Sequence, residues 1–255
     1  MSTLLLETRG AVLHITLNRP QQRNAMSVEM VEELHEVLTR LDSRVRAVVI
    51  RGAGGHFCAG ADVKDLSEAG SLQALRRLNR AFGSLLQTVE ALAPVVIVVA
   101  HGAVLGGGFG LVCVSDIALA DHQAQFGLPE TGLGVLPAQI APFVLKRIGL
   151  TQTRRLALTG ARFDGVEAQR LGVVHSVEQD GQALEARVDE VLGQVLRCAP
   201  QANARTKALL LASANLSLNE QLDLGAEAFA EAVTSAEGVE GARAFIEKRT
   251  PQWGM

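Results

Sequence analysis

The sequence predicts an α/β fold, and three observations carry that expectation. Short apolar, β-branched runs alternate with amphipathic stretches through the first half of the chain. Two of the runs, AVVI at 47–50 and VVIVVA at 95–100, are apolar without alternation, as strands covered on both faces are. Of the 255 residues, 48% are hydrophobic and 20% charged, so there is enough apolar material for a packed core.

Val12–Leu17 (VLHITL) reads as the first strand, and Asn18-Arg19-Pro20 ends it with a turn. Ser27 then fits a helix N-cap, with Glu29 and Glu32 favoured by the helix dipole. Met30, Val31, Leu34, Val37, Leu38 and Leu41 recur at helical spacing and give that helix one buried face. A strand at 47–50 is followed by the loop 51–55. A second amphipathic helix covers 72–92. Val95–Ala100 is a strand, and 102–105 extends or follows it. A glycine run leads into a short apolar helix at 109–114, and 116–120 is again a strand. The second half reads as helices at 138–148, 151–159 and 164–171, with Gly172 as a stop, and a last strand at 173–177. Beyond it lie helices at 182–197, 201–213, 218–234 and 237–248. Such a helical end either packs on its own core or builds a subunit interface.

Charge and cysteine content exclude several classes. The formal charge is −3, from 24 Lys+Arg and 27 Asp+Glu, so nothing favours a phosphate backbone as partner. Cys58, Cys113 and Cys198 are widely spaced and form no CxxC pair, which fits neither a disulfide framework nor a zinc ribbon. A reducing, cytoplasmic setting is expected. The N-terminus has an early acid and only a short apolar run, unlike a signal peptide. The apolar stretch 94–105 is too short to span a bilayer.

Familiar catalytic signatures fail. There is no GxSxG and no HExxH. The P-loop frame at 55–60 is followed by Ala61-Asp62 where Lys-Ser/Thr is required. Leu111 stands where a dinucleotide fingerprint beginning at Gly106 needs its last glycine. What stands is a pair of glycine-bearing loops, His56-Phe57-Cys58-Ala59-Gly60-Ala61-Asp62 and Leu105-Gly106-Gly107-Gly108-Phe109-Gly110. Either they are tight turns, or they offer backbone N–H groups to an oxyanion. Glu130 is one acid in the Gly/Pro-rich segment 126–134. It is either a solvated loop residue or, in an apolar cleft, a group suited to proton transfer.

Taken with Asn18-Arg19-Pro20, Arg23-Asn24-Ala25, Gly102-Ala103-Val104, Ser115-Asp116, Ala124–Glu130 and Gly241–Arg249, these segments agree in order and distance with one family. The chain resembles the crotonase (enoyl-CoA hydratase/isomerase) superfamily over essentially its whole length. The resemblance implies a spiral of ββα units in residues 1–195. It also implies a helical C-terminal region, 196–255, that makes trimers or dimers of trimers. An acyl-CoA thioester substrate is implied, with no metal, and with coenzyme A entering only as part of the substrate.

By the same resemblance, the N–H groups of Ala61 and Gly107 hold the thioester oxygen, and Glu130 is the catalytic acid. Coenzyme A is expected along Ala25, Ala59 and Val63, mostly through backbone. Arg23 and Lys248 are either partners for its phosphates, Lys248 from a neighbouring subunit, or ordinary surface charge, and Phe245 is expected at the coenzyme A site. Asp62 is either a helix N-cap or a ligand contact. Gly108, Gly110, Leu136, Pro137 and Ile140 are expected around the acyl group.

Two-acid hydratases carry a second Glu at the position of Gly110, and here it is absent. The run Leu136-Pro137-Ala138-Gln139-Ile140-Ala141-Pro142-Phe143-Val144 and the end Ala244–Trp253 are similar to bacterial methylglutaconyl-CoA and isohexenylglutaconyl-CoA hydratases. Those act on enoyl-CoAs branched at C3 and bearing a distal carboxylate, in leucine or acyclic terpene breakdown. On that likeness, the missing side chain at Gly110 is expected to leave room for the C3 branch. An enoyl-CoA isomerase using the same Glu130, and a non-catalytic acyl-CoA- or RNA-binding scaffold, are the alternative readings.

Overall fold

The computed structural model describes residues 2–68 and 70–254. Its strands are β1 (Leu4–Arg9), β2 (Val12–Leu17), β3 (Ala47–Gly52), β4 (Val95–Ala100), β5 (Ala103–Leu105), β6 (Ile117–Asp121), β7 (Gln125–Gly127), β8 (Arg162–Phe163) and β9 (Ser176–Glu178). Helices in the first two thirds are α1 (Val28–Thr39), α2 (Val63–Glu68), α3 (Leu72–Glu90), α4 (Gly107–Val114), α5 (Ala141–Thr159) and α6 (Gly165–Arg170). The last third holds α7 (Gly181–Leu196), α8 (Pro200–Ala212), α9 (Leu218–Thr234) and α10 (Ala236–Glu247).

The large sheet has the order β1-β2-β3-β4-β6-β9, antiparallel at β1–β2 and parallel elsewhere. Side chains alternate across it. Val48, Ile50, Val96 and Val98 face a core shared with α1, α3 and α4. Ala47, Val49, Ile97, Val99 and Leu119 face α7 through Leu184, Val188, Val191, Leu192 and Val195. Both faces are covered, and this is why these strands read as unbroken apolar runs.

A small sheet, β5-β7-β8, lies beside it. The chain alternates between the two sheets. After β4 comes β5 and then α4; after β6 comes β7 and then α5. After β3 the same place in the small sheet is taken by Cys58, bridged in parallel to Val104, before α2 and α3 follow. This is the ββα spiral expected from the resemblance.

Several elements differ from expectation. β1 was not anticipated, because only Leu4 of its six residues is buried and no alternation marks it. β7 and β8 are three and two residues long and carry no periodic signal. The last strand is Ser176–Glu178 rather than 173–177; Val173 and Val174 are buried but lie in the coil after Gly172. The two helices expected at 138–148 and 151–159 are continuous as α5 but kinked at Gly149, whose φ of 74° is left-handed. Ser27 caps α1 by accepting from the Met30 N–H, as expected.

The C-terminal helices are fastened to the core by half-buried cations. Lys207 on α8 donates to the carbonyls of Leu92 and Pro94 and pairs with Asp116 at 2.6 Å. Arg46 donates to the carbonyls of Leu196, Cys198 and Trp253, each at 2.7 Å. No helix among the described residues is long and apolar enough to cross a membrane.

Candidate active site

Backbone pairing in the small sheet gathers the three segments singled out in the sequence. The Cys58 N–H donates to the Ala103 carbonyl, and the Leu105 N–H donates back to the Cys58 carbonyl. On the other side of β5 the Gly106 N–H donates to the Gly127 carbonyl, which fixes the start of the chain leading to Glu130. Thus the first glycine loop, the second glycine loop and the acid arrive side by side.

Glycine is required where they meet. Gly60 has φ +107° and its missing Cβ would lie 3.4 Å from the Leu105 carbonyl oxygen. Gly106 has φ +50°, and a Cβ there would stand 2.8 Å from Glu130 Oε1 and 3.4 Å from Gly60 Cα. Both residues take a backbone conformation that side-chain-bearing residues rarely adopt. The residues that follow them, Ala61 and Gly107, are neighbours across this contact. Among the described residues neither the Ala61 nor the Gly107 N–H has an acceptor. Gly107 is the first residue of α4, where helix N–H groups lack intrahelical partners and the dipole favours negative charge.

Glu130 opens a 3-10 turn, Glu130–Leu133, held to α5 by the Thr131 hydroxyl donating to the Ala157 carbonyl at 2.8 Å. Its Oε2 is buried without a hydrogen-bond partner. Burial pushes its pKa above the ordinary carboxylate value, only partly offset by a hydrogen bond to its own backbone. A cluster of Phe109, Phe126 and Phe163, with ring centroids 5.7–6.1 Å apart, locks α4 to β7 and β8 behind it.

A second set of contacts shapes the first loop, and the sequence reading did not assign it a role. Asn24 is fully buried, with φ 55°. Its Oδ1 accepts from the Arg19 N–H, and its Nδ2 donates to the carbonyls of Ala53 and His56. Arg19 in turn donates to the Ala25 carbonyl and pairs with Asp62 at 2.8 Å. Asp62 also accepts from the Lys64 N–H. Of the two roles expected for Asp62, the structure gives it the local one: it holds the loop, and its charge is committed to Arg19. Arg23 is exposed, and its carbonyl accepts from the Ala59 N–H at 3.0 Å, so Arg23, Ala25 and Ala59 lie together. Val63 begins α2 and is 66% exposed.

Gly108, expected beside the acyl group, packs α4 closely on the first loop: a Cβ there would lie 2.7 Å from Cys58 Cβ and from the Cys58 carbonyl oxygen. The expectation for Gly110 needs correcting. At Gly110 a Cβ would lie 2.5 Å from Ile140 Cγ2 and 3.3 Å from Leu86 Cδ1. The place of a second acid is filled by the buried Ile140, not left empty for a branch. Leu136 is exposed and Pro137 half-buried. Phe245 is 87% exposed, and Lys248 caps α10 with φ 54°. Both sit on a helix that packs chiefly against α9, away from the glycine loops.

A family profile described as enoyl-CoA hydratase/isomerase matches residues 7–255. The chain belongs to the enoyl-CoA hydratase/isomerase family. A solved structure, Pseudomonas aeruginosa AtuE, is 62% identical, with 99% of this chain and 100% of that one covered and a TM-score of 0.97. An enoyl-CoA hydratase/isomerase from Marinobacter aquaeolei is 50% identical, with both chains covered in full and a TM-score of 0.97. A short-chain-enoyl-CoA hydratase of Clostridium acetobutylicum is 30% identical over 98% of this chain and 96% of its own. The fold is therefore the crotonase fold of this family, with its helical C-terminal region.

Proposed function

We propose that this member of the family is a hydratase that adds water across C2=C3 of a 3-branched glutaconyl-CoA, with methylglutaconyl-CoA and isohexenylglutaconyl-CoA as the substrate class. The observation that carries the chemistry is the unpartnered, buried Glu130 oxygen beside two unused N–H groups. The Ala61 and Gly107 N–H groups donate to the thioester oxygen as enolate charge develops, a contribution of about 3–4 kcal/mol per donor in such sites. Glu130 orients a water, takes its proton as the oxygen bonds to C3, and returns a proton to C2. Its raised pKa suits both transfers. Every step is assigned to protein groups, and coenzyme A enters as part of the substrate.

Arg23, Ala25, Ala59 and Val63 form the nearest surface for coenzyme A. Phe245 and Lys248 are assigned to a neighbouring subunit's site in a trimer or dimer of trimers, a reading supported by the exposure of Phe245. The free thiols of Cys58, Cys113 and Cys198 accord with a cytoplasmic setting. The substrate class is tested by comparing kcat/KM on 3-methylglutaconyl-CoA, its isohexenyl analogue and crotonyl-CoA. Preference for the two branched substrates supports the reading, and preference for crotonyl-CoA rejects it.

A further inference from the structure

One polar contact at this site is not used by the proposed chemistry. Gln139 Nε2 donates to Asn79 Oδ1 at 2.9 Å, joining the segment after Glu130 to α3. Asn79, Phe82, Gly83 and Leu86 stand at i, i+3, i+4 and i+7, so they form one stripe of α3. That stripe faces the site. Leu86 packs at Gly110, and the Phe82 ring would lie 3.0 Å from a Cβ on Gly107. Gly83 lies under Gln139: a Cβ there would be 2.0 Å from Gln139 Oε1 and 3.3 Å from Arg80 Nη1.

Glycine in the middle of a 19-residue helix is unfavourable. Here it makes the space in which Gln139 sits. The amide pair lies at the open end of the wall, Asn79 exposed and Gln139 half-buried, with donors free for a ligand. Among the described residues Asn79 Nδ2 has no acceptor, and Gln139 Nε2 uses one of its two hydrogens. The neighbouring wall, Phe82, Leu86 and Ile140, is apolar. Donors at the open end of an apolar wall discriminate between acyl chains once a bound chain displaces their water, because only a chain carrying an acceptor replaces it.

We propose that the Asn79–Gln139 amide pair, seated by Gly83, is a specificity determinant that receives a carboxylate on the far part of the acyl chain. The proposal rests on the hydratase reading above and names the groups that would select its substrate.

Two variants test it: Asn79→Leu and Asn79→Asp. Asn79→Asp keeps the oxygen that accepts from Gln139 but places a negative charge against the substrate carboxylate. The readout is the ratio of kcat/KM for 3-methylglutaconyl-CoA to that for crotonyl-CoA. It should fall about tenfold in Asn79→Leu, as loss of a charge-assisted hydrogen bond would give, and further in Asn79→Asp. A ratio that stays at the wild-type value in Asn79→Asp overturns the proposal and leaves the pair a structural latch. Inhibition constants of glutaryl-CoA and butyryl-CoA separate this test from the substrate reading, because inhibition needs no turnover. If the wild type fails to hydrate the carboxylate substrate, the substrate reading falls. The change in inhibitor ratio between wild type and Asn79→Asp still decides the role of the pair: a weaker preference for glutaryl-CoA supports it, and an unchanged one rejects it.

Discussion

Glu130 is a carboxylate kept in an unfavourable place. Burial raises its pKa, and one oxygen has no partner, so its ionised form costs the folded state stability. The sign follows directly. A carboxyl whose folded pKa lies above its unfolded value destabilises the fold at higher pH, and the penalty vanishes as pH falls below the ordinary value of 4.5. Glu130→Gln should therefore melt at or above the wild-type temperature at neutral pH, with the difference shrinking toward pH 4.5. Its kcat should drop by about 10²–10⁴-fold, the usual contribution of a general acid/base. Thermal melts over pH and steady-state kinetics check the two outcomes. Gly110 is constrained by packing instead. Gly110→Ala should destabilise by about 1–3 kcal/mol through overpacking against Ile140. Adding Ile140→Ala should recover part of the activity lost by misplacing α4, because the two sites share one space.

At the scale of elements, the site depends on loops held by side chains as much as by strands. Asn24 carries three hydrogen bonds to the backbone of two loops while fully buried. Asn24→Ala should cost about 1–3 kcal/mol, since it strands buried carbonyls, and should raise KM more than it lowers the melting temperature of unrelated parts of the fold. Urea titration and kinetics on one preparation measure both. These loops also mark where the sequence was readable. Long helices such as α1 and α3 announce themselves by a 3.6-residue apolar period, and the central strands by unbroken apolar runs covered by two layers. β7 and β8 have no room for a period, yet they bring Gly127 and Glu130 to the glycine loops. The meeting of the segments that carry Ala61, Gly107 and Glu130 was legible through the family pattern. The filling of Gly110 by Ile140, the capture of Asp62 by Arg19 and the seating of Gln139 on Gly83 were not, because each depends on residues distant in sequence meeting in space.

At the scale of the molecule, the helical end leaves an apolar face uncovered in the single chain. α9 has no buried residue, and Leu218, Leu222, Phe229 and Val233 form one exposed stripe along it. Assembly of subunits through this face would cover it. Phe229→Glu should shift the protein to lower mass in sedimentation at micromolar concentration, while an unchanged mass would direct the interface elsewhere. The same assembly would carry Phe245 and Lys248 to a neighbouring site and so couple oligomeric state to coenzyme A binding. Hydration itself is tested most directly by product mass after incubation with 3-methylglutaconyl-CoA in ¹⁸O-labelled water. A hydratase acting through Glu130 gives a product heavier by one water and carrying the label at C3, formed by the wild type and lost in Glu130→Gln. A product of unchanged mass with a shifted double bond, or label gained equally without Glu130, would contradict it.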